Sequence, residues 1–206
     1  SITCEPSAAF CEPALVKLVE SFLVDRVSQP RNNVFSLDLW SAGCGRGAEA
    51  WTLAMLAKHA AAHHGAGLYF GVMGTDISSF ALHEARAGVY TRGELSSVTP
   101  EYFESGLTAV GSDLAGITEE LADRVCFVQS NLVTAEELLG IDMDVIVCRN
   151  VLPYYSTQSK HRILDRLVDH LKPGGLLVVG SGDMDGWCHG AVRSLSTEPL
   201  QACVRQ

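Results

Sequence analysis

The sequence predicts an α/β fold in which a mostly parallel sheet is covered by helices on both faces. Two observations lead to this expectation: short apolar runs alternate with segments of helical periodicity, and a glycine-rich turn separates the first apolar run from the next helix. Strands that alternate with helices are typical of parallel sheets, because each helix returns the chain to the same end of the sheet. With 206 residues, 47% of them hydrophobic, the chain can bury a sizeable core without disulfide or metal support.

The expected elements follow one another along nearly the whole chain. An amphipathic helix begins near Pro13 and ends near Ser28, since its apolar residues recur at helical spacing. After it come strands at 34–41, 68–74, 125–129, 143–149, 176–180 and 199–204, and helices at 48–63, 80–87 and 157–171. The Lys-Pro-Gly-Gly run at 172–175 is expected to end the last helix in a turn.

Two parts and one insertion are expected. Residues 1–33 form an N-terminal segment with a lead-in helix, and residues 34–206 form the main domain. Residues 100–123 are more than a compact crossover requires, and their glycines are spaced among apolar residues. This pattern predicts a small β-hairpin inserted into the main domain.

Composition excludes several classes of function. The formal net charge is −9 and no cluster of Lys and Arg occurs, so we expect a protein substrate and no nucleic acid. No apolar run reaches the roughly 18 residues that cross a bilayer, and the first residues lack a signal-peptide pattern, so we expect no membrane insertion. Seven cysteines without C-x-x-C spacing indicate reduced thiols in a cytoplasmic protein and no metal site.

The first motif is the glycine turn, in which Gly43, Gly45 and Gly47 precede a helix that carries Glu49. Glycines allow close approach of a ligand to the backbone, and a helix N-terminus adds positive potential. With Ala48 in the sixth position, the turn also fits the loose G-x-G-x-x-G/A pattern of nicotinamide-dependent dehydrogenases, although no Tyr-x-x-x-Lys signature accompanies it. A tight turn without any ligand is the third possibility.

The second and third motifs lie at later strand ends. Asp76 follows the second strand, where a carboxylate can accept both hydroxyls of an adenosine ribose; alternatively, Asp76 or a neighbour caps the next helix. Arg149 and Asn150 follow the fourth strand together with Tyr154 and Tyr155. Tyr155 is also compatible with a packing role. The carboxyl ends of parallel strands meet at one edge, so we expect these side chains to share one crevice.

These motifs carry a family resemblance. Residues 40–54 resemble the W-S-A-x-x-S-T-G-E-E-P-Y-S-x-A block of the CheR family of chemotaxis receptor methyltransferases. Residues 75–77 resemble its T-D-I-D, residues 85–90 its A-R-x-G-x-Y, residues 148–155 its C-R-N-V-x-I-Y-F and residues 171–176 its L-x-P-G-G-x-L. The resemblance implies a Rossmann-like S-adenosylmethionine-dependent methyltransferase fold with a seven-stranded sheet. It also implies methyl transfer to glutamate carboxylates of a chemoreceptor-like cytoplasmic domain.

Carried over position by position, the resemblance assigns one catalytic residue and a set of donor-binding residues. Tyr154 matches the tyrosine near the transferred methyl group and is the expected catalytic residue. The residues expected to bind S-adenosylmethionine are Ser7, Gly43, Gly45, Gly47, Glu49, Asp76, Ile77, Asn131, Leu132, Arg149 and Asn150. The insertion matches the family's small β-subdomain, which in some members docks a receptor's C-terminal peptide.

Departures from the family pattern keep a second function open. The family's N-x-T-x-F-F-R-D-P stretch corresponds to residues 5–13, where Cys11 takes the place of the arginine, and Ala48 replaces the first Glu of G-E-E. A thiol cannot replace the charge-assisted hydrogen bonds of a guanidinium. The alternative is therefore a catalytically impaired regulatory or interaction domain that binds S-adenosylmethionine or S-adenosylhomocysteine. Asp183 and Asp185, in the turn after the penultimate strand, are expected to be solvated.

Overall fold

The computed structural model describes residues 10–28, 36–64, 68–134, 141–195 and 198–206. Its helices are α1 (Pro13–Ser28), α2 (Ala48–His64), α3 (Ser79–Ala87), α4 (Pro100–Gly106), α5 (Glu119–Ala122) and α6 (Thr157–Asp169), with a 3₁₀ helix at Leu152–Tyr154. Its strands are β1 (Ser36–Ala42), β2 (Tyr69–Asp76), β3 (Val89–Thr91), β4 (Leu107–Val110), β5 (Leu114–Ile117), β6 (Val125–Gln129), β7 (Met143–Cys148), β8 (Leu171–Val179), β9 (Val192–Leu195) and β10 (Gln201–Arg205). None of these described helices is long and apolar enough to cross a membrane.

Seven strands form one sheet in the order β6-β2-β1-β7-β8-β10-β9. The first five strands of that order run parallel, whereas β10 is antiparallel to both of its neighbours. The chain leaves β1 on one side toward β2 and β6, and returns on the other side at β7. The carboxyl ends of β1 and β7 therefore form a topological switch point, where open α/β sheets bind ligands.

Both faces of the sheet are buried, as expected for a parallel sheet. Adjacent residues of a strand point to opposite faces, so Leu39 of β1 enters a core shared with α1 and α2, whereas Trp40 enters a core shared with α6. Leu53 and Leu164 are the matching helix residues in these two cores, and both are fully buried. The predicted α/β class, with helices on both faces of a seven-stranded sheet, is thus confirmed.

The prediction that the Lys-Pro-Gly-Gly run at 172–175 forms a turn between the last helix and the next strand is wrong. The chain enters β8 at Leu171, directly after α6, and the Lys-Pro-Gly-Gly run is an irregular part of the strand. Leu171 pairs with Met143, whereas the next pair joins Leu176 to Val145, so the intervening residues bulge out of the ladder. Gly174 takes φ +74 in this bulge, a conformation that glycine adopts without steric cost.

The predicted hairpin at 100–123 is present but belongs to a larger unit. Strands β4 and β5 pair as the hairpin, and β3, which precedes the insertion, adds to β5 to make a three-stranded antiparallel sheet. The helices α4 and α5 flank the hairpin. Sequence periodicity could not reveal β3, because three residues are too few for an alternating pattern. The predicted domain division at 33/34 falls outside the described residues and stays a prediction.

Charged side chains at the amino ends of β1, β7 and β8 form a buried network around Asp144. This carboxylate, 1% exposed, accepts hydrogen bonds from Arg26 Nε at 2.7 Å, Lys172 Nζ at 2.7 Å and the Asp38 amide at 2.9 Å. Burial lowers the pKa of Lys172, but the carboxylates of Asp144 and Asp38 outweigh it and hold that pKa above its ordinary value. The network joins α1 to the sheet at the end opposite the switch point.

We predict that Asp144→Asn destabilises the fold without changing the chemistry at the switch point. The neutral side chain would leave Arg26 and Lys172 without their shared counter-charge, at a cost of about 3 kcal/mol of unfolding free energy. Urea unfolding measures this cost. The exposed neighbour Asp142→Asn is the matched control, and equal unfolding midpoints for both variants would contradict the prediction.

Candidate active site

The three predicted motifs converge at the carboxyl ends of β1, β2 and β7. Two amides of the glycine turn after β1, those of Gly43 and Cys44, donate to the carbonyl oxygen of Thr75 at 2.7 and 2.8 Å. A third amide, that of Gly45, donates to Asp76 Oδ2 at 2.8 Å. The turn and the end of β2 are therefore one connected structure.

Backbone conformation favours glycine at all three positions of the turn, and close packing requires it at Gly43 and Gly47. Gly43, Gly45 and Gly47 have φ values of +81, +52 and +91, in the region that favours glycine. A Cβ on Gly43 would lie 2.2 Å from Val151 Cγ2, and a Cβ on Gly47 would lie 2.8 Å from Ala85 Cβ. The turn thus packs directly against the segment after β7 and against α3.

The Asp76 carboxylate keeps the capacity to bind a ligand. Its Oδ2 accepts from the Gly45 amide and its Oδ1 from the Ser78 amide, each at 2.8 Å. The N-cap of α3 is Ser78, whose hydroxyl accepts from the Ala81 amide at 3.2 Å. A carboxylate has about four acceptor positions. Asp76 therefore has acceptor positions that these two hydrogen bonds do not use, and the helix is capped by Ser78 instead.

Glu49 lies in the first turn of α2 and is 5% exposed. Its Oε1 accepts from the Ser41 hydroxyl at 2.9 Å, and its Oε2 is 3.9 Å from Arg149 NH1. Burial raises the pKa of Glu49 to about 7, although the Arg149 charge and the Ser41 hydrogen bond act in the opposite direction. A positively charged ligand beside Glu49 would favour the ionised carboxylate and lower this pKa.

Arg149 connects Glu49 with the N-terminal segment. Its NH2 group pairs with the Glu12 carboxylate just before α1. Its Nε is buried and has no hydrogen-bond partner among the described residues. The next residue, Asn150, is exposed and has φ +59, a left-handed conformation that Asn tolerates better than most side chains.

The remaining predicted donor-binding residues differ in their surroundings. Asn131 uses its side-chain oxygen to accept from the Val133 amide at 3.0 Å, which holds the segment after β6 in a turn. Leu132 is buried in the core beside α6. Ile77 is 62% exposed directly after Asp76, so it offers an apolar surface at the crevice edge. Ser7 lies outside the described residues.

Tyr154 and Tyr155 have distinct environments. Tyr154 is 72% exposed in the 3₁₀ helix after β7, so its phenol is accessible to a second molecule. Tyr155 packs partly into the core beside α6, as the packing interpretation expects. Burial raises the pKa of Tyr155, with further contributions from Cys148 and Asp76.

The residue at the position of the family arginine, Cys11, lies against α2. Cys11 is 4% exposed and has φ +50, and its amide donates to Thr52 Oγ1 of α2 at 3.0 Å. Burial raises the pKa of its thiol, and the hydrogen bond with Thr52 only partly opposes this. Cys11 is therefore a packing residue against α2 in this chain.

Three polar residues that sequence reasoning missed, or assigned differently, support the site. Ser41 holds Glu49, and Thr75 Oγ1 accepts from Trp40 Nε1 at 2.9 Å beneath the glycine turn. Asp183 was expected to be solvated, but it is 2% exposed and accepts from the Gly180 amide at 3.2 Å, with Lys160 Nζ 3.3 Å away. A polar residue at the end of an apolar strand was the available signal for Ser41 and Thr75.

We predict that the raised pKa of Glu49 makes stability fall as the pH rises from about 4.5 to about 7. In that window the folded chain holds a proton that the unfolded chain has released, so the free energy of unfolding decreases with pH. Glu49→Gln cannot ionise and should gain on the order of 3 kcal/mol over the parent chain at pH 8, with the gain vanishing near pH 4. Urea unfolding across this range, with exposed Glu104→Gln as control, measures the effect; parallel profiles for Glu49→Gln and the parent would contradict it.

Known proteins share both the sequence pattern and the fold. The family described as "CheR methyltransferase, SAM binding domain" matches residues 6–186. The chain is 34% identical to the chemotaxis protein methyltransferase of Klebsiella aerogenes over 157 residues, which cover 74% of this chain and 53% of the relative. The corresponding protein of Escherichia coli is 35% identical over 150 residues, which cover 70% of this chain and 51% of the relative. The chain thus spans about half the length of the curated relatives it matches.

A solved structure shows the same fold at low identity. The rRNA methylase of Streptococcus thermophilus superimposes with a TM-score of 0.52 at 13% identity, covering 96% of this chain and 99% of that chain. This likeness supports the fold alone and says nothing of an RNA substrate. The family match covers the glycine turn, Asp76 and the Arg149-Asn150 pair, and it replaces the dehydrogenase hypothesis. By that match, the chain belongs to the CheR methyltransferase family, and the matched part is the family's S-adenosylmethionine-binding domain.

Proposed function

We propose that this chain is the donor-binding and catalytic domain of an S-adenosylmethionine-dependent methyltransferase that methylates glutamate side chains of a chemoreceptor-like protein. One observation carries the proposal: Glu49, Asp76 and Arg149, from three separate segments, surround one switch point in a chain of the CheR family. A cytoplasmic location and a main domain that begins near residue 34 are parts of the same proposal.

The polar groups at the switch point fit the parts of the donor. Free lone pairs of Asp76 suit the two ribose hydroxyls, and exposed Ile77 suits the apolar face of the adenine. Asn131 and Leu132 follow β6, and the amide of the preceding Ser130 donates to the Asp76 carbonyl oxygen at 3.0 Å. We assign Asn131 and Leu132 to the adenine end of the donor. A Cβ on Gly43 or Gly47 would collide with Val151 or Ala85, so the glycines let the turn pack tightly at the strand ends, and we assign its backbone to close approach of the donor.

The amino-acid end of the donor is assigned to the other side of the crevice. The unpartnered Nε–H of Arg149 suits a carboxylate, and buried Glu49 suits the positively charged amino group or sulfonium. Asn150 is exposed next to Arg149 and supplies an amide for the same end. S-adenosylmethionine supplies an electrophilic methyl group when bound.

The proposed methyl transfer needs little acid–base catalysis from the protein. A glutamate carboxylate has a pKa of about 4.3, so the acceptor is already ionised near neutral pH and needs no general base. The carboxylate oxygen forms a bond to the methyl carbon as the carbon–sulfur bond breaks, and the bonding pair stays on sulfur. Orientation of the two reactants contributes on the order of 7 kcal/mol when well arranged.

Tyr154 is the residue that we assign to this step. Its exposed phenol can position the acceptor carboxylate, and its aromatic face can stabilise a nearby cation. The alternative, a donor-binding domain without catalysis, gains support from Cys11, which packs against Thr52 where the family has arginine. The curated relatives, which are named as methyltransferases, favour the enzyme.

Donor binding is tested first, by calorimetric titration with S-adenosylhomocysteine. We expect the Asp76→Ala variant to bind S-adenosylhomocysteine at least tenfold more weakly. A hydrogen bond to a charged acceptor contributes about 1.5 to 3 kcal/mol to binding, and this contribution is lost when the carboxylate is removed. Asp25→Ala, an exposed aspartate of α1, is the matched control. Equal affinity of the Asp76→Ala variant and the parent would remove the ribose assignment.

Catalysis is tested with radiolabelled donor and cytoplasmic fragments of methyl-accepting receptors. Transfer to a glutamate gives a methyl ester, and alkali should release its label as methanol. We predict that Tyr154→Phe lowers the turnover number about 10- to 100-fold through loss of a positioning hydrogen bond, with little effect on donor affinity.

The control for Tyr154 is Tyr69→Phe, because Tyr69 is also exposed, at 66%, but lies at the amino end of β2. Normal turnover in the Tyr154→Phe variant would remove the catalytic assignment. Donor binding by the parent chain without transfer to any receptor fragment would instead support the regulatory alternative.

A further inference from the structure

Arg46, in the middle of the glycine turn, connects this turn to the small antiparallel sheet. Its Nε is 3.2 Å from Glu84 Oε2 on α3, and its NH1 donates to Glu94 Oε1 at 2.7 Å. Its backbone carbonyl accepts the hydroxyl of Tyr90, a residue of β3, at 2.6 Å. Three elements outside the turn therefore contact this one residue.

Glu94 is itself held firmly by β3. Its Oε2 accepts both the amide and the hydroxyl of Thr91, each at 2.8 Å. Burial opposes ionisation of Glu94, but these hydrogen bonds and the Arg46 charge outweigh it, so the pKa of Glu94 lies below its ordinary value. Thr91 pairs with Leu114 of β5, which continues the connection into the small sheet.

Tyr90 adds a link to the N-terminal segment. Its ring is 97% buried and meets the ring of Phe10 edge-on, with centroids 4.7 Å apart. The hydroxyl of Ser97, in the loop after β3, donates to the Phe10 carbonyl. The residues beside Cys11 and Glu12 are thus joined to the same small sheet that contacts Arg46.

The turn needs such outside contacts because of its composition. Three glycines lose more conformational freedom on ordering than other residues, so an unsupported turn would sample many conformations. Hydrogen bonds to Thr75 and Asp76 hold its inner side. The contacts of Arg46 hold its outer side, which leaves less disorder to remove when a ligand binds.

We propose that Arg46, Glu94 and Tyr90 form a brace that positions the donor-binding turn and couples donor affinity to the small sheet. Arg46 and Glu94 are positioning residues here, since neither is assigned to contact the donor. The inference rests on the proposed function in one respect, namely that the donor occupies the glycine turn. Coupling of this kind is reciprocal. If ordering of the small sheet strengthens donor binding by a given free energy, donor binding stabilises the ordered sheet by the same free energy.

Donor affinity of paired variants distinguishes positioning from simple electrostatics. If the brace positions the turn, Arg46→Ala and Glu94→Gln both weaken binding of S-adenosylhomocysteine, by roughly 2- to 5-fold for contacts as exposed as these. If Arg46 acts only through its charge, the two variants shift the dissociation constant in opposite directions, because they change the local charge with opposite sign. That outcome would overturn the proposal.

The matched control is Lys58→Ala. Lys58 Nζ pairs with Glu120 at 2.9 Å and also donates to the Ser105 carbonyl at 2.8 Å, so it joins α2 to the same inserted unit without touching the turn. An effect of Lys58→Ala as large as that of Arg46→Ala would show that general loosening of the insertion suffices, and would overturn the brace. Urea unfolding of the unliganded variants checks that all of them fold.

Kinetics and hydrogen exchange give two readouts that a purely structural role would not move. In the transfer assay, Arg46→Ala should raise the KM for donor and leave the turnover number at saturating donor unchanged. Adding S-adenosylhomocysteine should increase protection of the β3 amides in the parent chain and do so less in the Arg46→Ala variant. Unchanged protection in the parent chain overturns the coupling, whereas no binding by the parent chain overturns the proposed function instead.

Discussion

The hydrogen bond between the Asp76 carboxylate and the Gly45 amide is the interaction on which the candidate site depends. It joins the end of β2 to the turn after β1, while the other oxygen of Asp76 orders the Ser78 amide at the start of α3. This one side chain thereby fixes the carboxyl ends of β1 and β2 and the start of α3 relative to one another. Because Ser78 caps the helix, the carboxylate has acceptor positions beyond these two hydrogen bonds.

A second set of charges completes the crevice from the opposite side. Arg149 lies between Glu12 and Glu49, so one cation compensates two carboxylates, and Arg149 and Glu49 are both largely buried. Burial raises the pKa of Glu49 to about 7, which means that its protonation state is sensitive to any charge placed beside it. Burial also raises the pKa of the nearby Cys44 thiol, to about 12, and the negative charges of Asp76 and Glu49 raise it further. The hydrogen bond between Gly45 and Asp76 and the contact between Glu49 and Arg149 place these charged groups at adjoining strand ends.

Sequence patterns predicted the repeated strands and helices well, because each buried strand is a short apolar run and each helix has a regular apolar face. They failed where pairing over long distances decides the backbone. Leu171 enters β8 because Met143 is available as its partner, and the Lys-Pro-Gly-Gly run bulges to restore the register at Leu176. Strand β3 exists because β5 presents an open edge. Asp183 is buried because its carboxylate accepts the Gly180 amide beside Lys160, contacts that no local pattern encodes.

By itself, the sequence determined which residues carry chemistry: the glycine turn, Asp76, Glu49 and the Arg149-Asn150 pair are recognisable from residue type and position after an apolar strand. Only the tertiary structure decided their relationships. Arg149 faces Glu12 and Glu49 across 137 and 100 positions of the chain, and Arg46 meets Glu94 across 48. Such contacts follow from the strand order, since a crossing at the switch point brings together segments that local propensity treats as independent.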